Sequence, residues 1–188
     1  MSRNDKAPFP IHNSLMTYLE NENILLRALE PEDLDDLYRW ENDSKLWKYG
    51  STLAPYSKFA LRDYLVCSQN DLVQSKQLRL VAVGKKNNKS MGTIDLYDYD
   101  PINLRAGIGI LLDAAYRHKG YGKEILGLIK EYAFRVLHLN QLFAYIPESN
   151  VSSFQLFSAC GYVQCGVLKS WLKSAETFEN VYVMQLIS

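Results

Sequence analysis

The chain has no surplus of either charge, no apolar run of membrane length and too few cysteines to staple a fold, and each shortage removes a class of protein. Its 21 basic residues are matched by 21 acidic ones, so the net basic face that nonspecific nucleic-acid binding needs is missing. No hydrophobic stretch approaches the roughly 20 residues that cross a bilayer, and the polar, proline-containing residues 1–10 lack a signal-peptide core. A cytoplasmic protein is expected, without membrane or nucleic acid as partner. Three cysteines, Cys67, Cys160 and Cys165, form an odd set with neither metal-ligand nor paired-disulfide spacing. That suits a reducing compartment, thiols that are buried or incidental, and no bound metal. Internal repeats, low-complexity tracts and linkers are also lacking.

What remains is ample apolar content. With 188 residues and 47% hydrophobic composition, the chain is long enough for one well-buried domain and too short for two comfortable ones. Residues 1–14 read as a flexible segment, and 15–188 as a single domain.

The periodicities sketch its order. Residues 24–29 form an apolar strand closed by Glu30-Pro31-Glu32-Asp33, a helix start. Leu34, Leu37 and Tyr38 fall on the core face of the helix that follows. An aromatic, polar stretch over 41–56 could line a ligand site, or Trp40, Trp47 and Tyr49 could cap the core; a second helix follows over 57–71, capped by Ser57. Residues 78–83, 91–97 and 105–112 are strand-like and separated by polar turns, which gives an antiparallel meander. Gly107 and Gly109 in the third strand predict a bulge or a close backbone approach. From Lys123 to Val136 the apolar residues repeat with helical spacing. A strand over 141–146, a short helix capped by Asn150 and stopped by Gly161, and two closing strands complete an α+β, or mixed α/β, order. Trp171 reads as an interior strand residue.

The richest stretch is 108–123, where an apolar strand enters a helix through Arg117-His118-Lys119-Gly120-Tyr121-Gly122-Lys123. Glycines let backbone N–H groups converge on an anion, the helix start contributes free donors and its dipole, and the basic side chains add charge. A phosphorylated ligand fits this corner. The spacing matches neither the Walker nor the dinucleotide glycine pattern.

Arg117-x-x-Gly120-x-Gly122 resembles the Arg/Gln-x-x-Gly-x-Gly/Ala signature of the GNAT superfamily of N-acetyltransferases, and Asn150 to Tyr162 resembles that family's second motif. Within it the chain is most similar to the branch of spermidine and ribosomal-protein N-terminal acetyltransferases. The resemblance implies a mixed sheet of six or seven strands flanked by about four helices, and acetyl-CoA as acyl donor. It further implies direct transfer to a small amine, a polyamine or a protein N-terminus, with assembly into dimers or larger homo-oligomers. By the same likeness, residues 117–123 (Arg117, His118, Lys119, Gly120, Tyr121, Gly122, Lys123) bind the pyrophosphate. Ile110, Leu111 and Leu112, opposite 142–146, flank the pantetheine arm, and Asn150, Ser153 and Phe157 complete the cofactor site.

Two proton-transfer positions depart from the family pattern. The usual tyrosine acid aligns with Phe157, and the usual glutamate base with Gly107; neither can exchange a proton. Asp95, set by the period of two on the opposite face from Ile94 and Leu96, and Tyr145 are the candidate substitutes. Glu41, Asp43, Asp98 and Asp100 could attract a cationic acceptor. A catalytically degenerate acyl-CoA-binding sensor therefore stands as the alternative to an enzyme.

Overall fold

A computed structural model describes residues 18–47, 54–67, 72–174 and 176–188. The expected flexible segment 1–14 and Tyr49 lie outside them. Seven strands form one sheet in the order β1-β2-β3-β4-β5-β7-β6. They are β1 (Ile24–Ala28), β2 (Leu78–Gly84), β3 (Lys89–Asp100), β4 (Arg105–Leu112), β5 (Gln141–Pro147), β6 (Val163–Ser174) and β7 (Thr177–Ile187). Every neighbouring pair is antiparallel except β4 with β5. The helices are α1 (Leu34–Glu41), α2 (Ser44–Trp47), α3 (Lys58–Cys67), α4 (Leu72–Ser75), α5 (Tyr121–Glu131) and α6 (Val151–Ala159). Four of these reach eight residues, as the resemblance implied, while α2 and α4 are single turns.

Alternation along the strands divides the apolar residues between two cores. Ile94, Leu96, Ala106 and Ile108 face Ile125, Leu126 and Ile129 of α5. On the other side Val81 and Val83 face Leu37, Trp40 and Leu65 from α1 and α3. The meander predicted from residues 78–112 is present, with β4 bounded as expected.

Three local expectations are corrected. Tyr38 is exposed and Trp40 takes its core place, because the indole N–H donates to Asp113 at 3.0 Å and turns the ring inward. The helix from residue 121 ends at Glu131, and Tyr132–Val136 is a π turn closed by Leu137 N–H donating to the Tyr132 carbonyl at 3.1 Å. Trp171 is 65% exposed, since it sits on the edge strand β6 where the register slips between Leu168 and Leu172.

Asp33 fastens the start of α1. Its carboxylate is 3% exposed and accepts from Arg27 Nη1 and Nη2 at 2.6 and 2.9 Å, Glu30 N–H at 2.9 Å and the Ser90 hydroxyl at 3.2 Å. One side chain thereby ties β1, β3 and the helix entry together.

Candidate active site

Strands β4 and β5 pair only at Arg105–Gln141, Ala106–Leu142 and Gly107–Phe143. Beyond these pairs β4 runs on to Leu112 and β5 to Pro147 with no strand between them. The facing edges from Ile108 and from Ala144 onward thus offer backbone donors and acceptors to an inserted extended group. Ile110, Leu111 and Leu112 lie on β4 beyond its last pair with β5. The opposite wall is shorter than expected, because Leu142 and Phe143 are already spent in pairing.

The opening leads into the loop before α5. Gly120 has φ of 88°, and a Cβ there would meet nothing within 4 Å. His118 also takes a left-handed conformation, with φ of 59°. Among the described residues no acceptor meets the N–H groups from His118 to Gly122, which is the condition for an anion to be held there. Gly122 serves another purpose: a Cβ on it would lie 3.0 Å from Leu156 and 3.3 Å from Leu112, so its bareness lets β4, α5 and α6 meet. Arg117 Nε donates to the Leu112 carbonyl at 2.8 Å and Lys119 Nζ to that of Ala115 at 2.7 Å. Lys123 lines, with Lys130 and Cys160, a groove of about 210 Å³ between α5 and α6. Burial pushes the Cys160 thiol up against the pull of those two ammonium groups, so it is an inert thiol at neutral pH.

Asp113 pins this loop to α1. Its carboxylate accepts from Arg39, from the Trp40 indole at 3.0 Å and from Ala115 N–H at 2.9 Å. Burial alone would raise its pKa, but the Trp40, Ala115 and Arg39 hydrogen bonds prevail and hold it at about 2. A depressed carboxylate stabilises the fold above its unfolded pKa and loses that contribution as pH falls through the folded one. Asp113→Asn is therefore expected to lose about 2 kcal/mol at pH 7. Urea melts should show that gap closing between about pH 4 and pH 2.

Asn150 and Ser153 shape the N-terminus of α6, the Asn150 side chain accepting from Ser153 N–H at 3.2 Å. Phe157 is not brought to the surface with them. It is 3% exposed and packs edge-on to Tyr162 at 4.9 Å.

The opposite face of the sheet, toward α1 and α3, gathers the polar candidates. Asp95 lies there as its alternation required, but both its oxygens are taken by Arg79, Nε to Oδ1 at 2.6 Å and Nη2 to Oδ2 at 3.1 Å. Arg79 Nη1 also reaches Glu41 at 2.8 Å, and its guanidinium lies 5.5 Å from the Tyr64 ring centre. Burial works against the Arg79 charge, yet Asp95 overcomes it and drives the pKa upward. Two carboxylates on one guanidinium leave this cluster with a net negative charge. Tyr145 is 48% exposed beside Phe143, ring centres 5.4 Å apart.

Sequence reading missed Tyr97 and Arg79. Tyr97 is the cross-strand partner of Gly107, and a Cβ on that glycine would lie 2.2 Å from the Tyr97 ring. The bare positions 107 and 109 were the available signal for a close approach; the approaching residue needed the register. Gly107→Ala is expected to cost about 1–3 kcal/mol through overpacking, and most of that loss should vanish in a Tyr97→Ala background. Equal penalties in both backgrounds, read from chemical melts, would break the pairing.

Known proteins share the family and the fold. A family model described as an acetyltransferase (GNAT) domain matches residues 23–163. An uncharacterized N-acetyltransferase, p20 of Bacillus licheniformis, is 27% identical over 173 residues, 92% of this chain and 97% of that protein. The spermidine N(1)-acetyltransferase of Vibrio cholerae is 24% identical over 148 residues, covering 79% and 83%. A crystal structure of the Vibrio cholerae spermidine N-acetyltransferase with CoA and spermine superposes with a TM-score of 0.80 at 21% identity, covering 89% of this chain and 96% of that one.

Proposed function

This chain belongs to the GNAT family of acyl-CoA-dependent N-acetyltransferases, and we propose that it carries the acetyl group of acetyl-CoA to the primary amine of a small cationic acceptor of the polyamine kind, in the cytoplasm. The observation that carries this reading is the opening between β4 and β5, which runs directly into a loop of unpaired N–H groups. The residues fit the cofactor: the space at Gly120 is clear, and free strand edges suit an amide-bearing arm.

Residues 117–123 hold the pyrophosphate through backbone donors, while Ile110, Leu111 and Leu112 line the arm. Acetyl-CoA, when bound, supplies the thioester that the amine attacks. Glu41 and Asp95, sharing Arg79, give the acceptor side its negative charge. With both oxygens committed to Arg79, Asp95 orients a cationic amine rather than acting as the base. The unpaired Cys160 and Cys165 accord with a reducing compartment.

The test is release of free CoA thiol from acetyl-CoA across spermidine, simple monoamines and peptides with free N-termini. Turnover fastest with the polyamine supports this reading, and turnover only with peptides rejects its acceptor. A second reading, an acyl-CoA-binding module without turnover, is favoured by the proton-inert Phe157 and Gly107. It predicts acetyl-CoA binding with no thiol release from any amine.

A further inference from the structure

Two bare positions on one face of β4 make a shallow trough, and Tyr97 lies in it. Besides the 2.2 Å approach at position 107, a Cβ at 109 would lie 3.9 Å from the same ring. The ring therefore reclines across β4 instead of standing away from β3. Its far side reaches Phe143 of β5, edge-on with centres 5.9 Å apart. Gly107 and Phe143 are the last residues paired before the two strands part. The phenol is thus carried over β4 toward the inner end of the opening, where the two strands part. Burial pushes the phenol well above its ordinary range. It stays protonated at working pH and is a donor, not a base. The volume that any side chain at position 107 would need is occupied by this ring.

We propose that Tyr97 is the catalytic hydrogen-bond donor of the acetyl transfer, its O–H directed at the departing sulfur at the inner end of the β4–β5 opening. The proposal rests on the transferase reading above. In the step it serves, the amine nitrogen forms a bond to the thioester carbonyl carbon and the carbon–sulfur bond breaks, its electron pair going to sulfur. Tyr97 donates to that sulfur as the negative charge gathers there. The ammonium proton passes to water and the thiolate takes a proton from water, so the phenol ends unchanged. This is the assistance to the leaving group that Phe157 cannot give.

The experiment compares the intact protein with Tyr97→Phe, which loses only the hydroxyl, and Tyr97→Leu, which also loses the ring. Measured are thiol release, calorimetric binding of acetyl-CoA, thermal melting, and the pKa of the bound CoA thiol from its thiolate absorbance. Tyr97→Phe is expected to lower kcat about 10- to 100-fold, the scale of one hydrogen bond to a charged group, with KM and Kd for acetyl-CoA within about threefold. The bound thiol should titrate about one unit higher in that variant, because a donor to the thiolate has gone. A Tyr97→Phe protein with native kcat and thiol pKa, beside an impaired Tyr97→Leu, makes the ring a brace and overturns the proposal. Intact protein that binds acetyl-CoA yet turns over no amine rejects the transferase reading itself, and this role with it.

Discussion

Arg117→Ala combined with Gly120→Asp will weaken acetyl-CoA binding by at least about 100-fold while leaving the protein folded. A Cβ at position 120 meets nothing within 4 Å, so an aspartate there projects its carboxylate into the space read as the pyrophosphate site. The left-handed φ of 88° makes a side chain cost roughly 1–2 kcal/mol locally, too little to unfold the domain. Removing Arg117 deletes a positive charge and the 2.8 Å bond that holds the loop to the Leu112 carbonyl. Losing a charge-assisted contact and adding a repulsive charge together amount to about 3–4 kcal/mol, or two to three powers of ten in Kd. Calorimetry with parallel far-ultraviolet circular dichroism reads both halves of the statement. Native-like affinity in the folded variant would remove the loop from the cofactor site.

The largest effect on stability is expected at Asp33. Asp33→Ala leaves Arg27 without its partner and deprives Glu30 N–H and the Ser90 hydroxyl of their acceptor. Breaking a buried pair from one side costs about 3–5 kcal/mol, a fall of roughly 10 °C or more in Tm for a chain of this size. Burial would raise the Asp33 pKa, but the Arg27 and Glu30 hydrogen bonds outweigh it and the folded value is lowered. Its stabilisation is therefore full above the ordinary carboxylate range and declines as pH falls below that range. The variant should lack this part of the acid loss, so the two melting curves must converge toward low pH. Parallel curves with an unchanged neutral Tm would show that the four contacts contribute little.

Features written in neighbouring residues were legible, and those made across the sheet were not. The period of two placed Asp95 opposite Ile94 and Leu96, and the helical spacing of Ile125 and Ile129 found the face of α5 that covers the first core. Asn150 and Ser57 read as caps from sequence because capping is settled within three residues. Trp40 displaced Tyr38 because a partner 73 residues away, Asp113, draws its indole inward. The Arg79 clasp on Asp95 likewise depends on strand register, and so does the Tyr97 ring over Gly107. The glycine loop was readable since a local backbone demand selects glycine, whereas the company around a carboxylate is chosen by the fold.

The sheet can also be counted another way, as a four-stranded antiparallel half and a three-stranded one stitched together by three residue pairs. A cofactor arm lying between β4 and β5 is then a missing strand that rejoins the halves, and occupancy becomes a cohesive force as well as a step in turnover. At a free concentration about 100 times Kd, mass action adds about 2.7 kcal/mol to the folded state. That is comparable to the strongest single contacts described above. On the function proposed above, acyl-CoA supply would set how firmly this protein holds together as well as how fast it works.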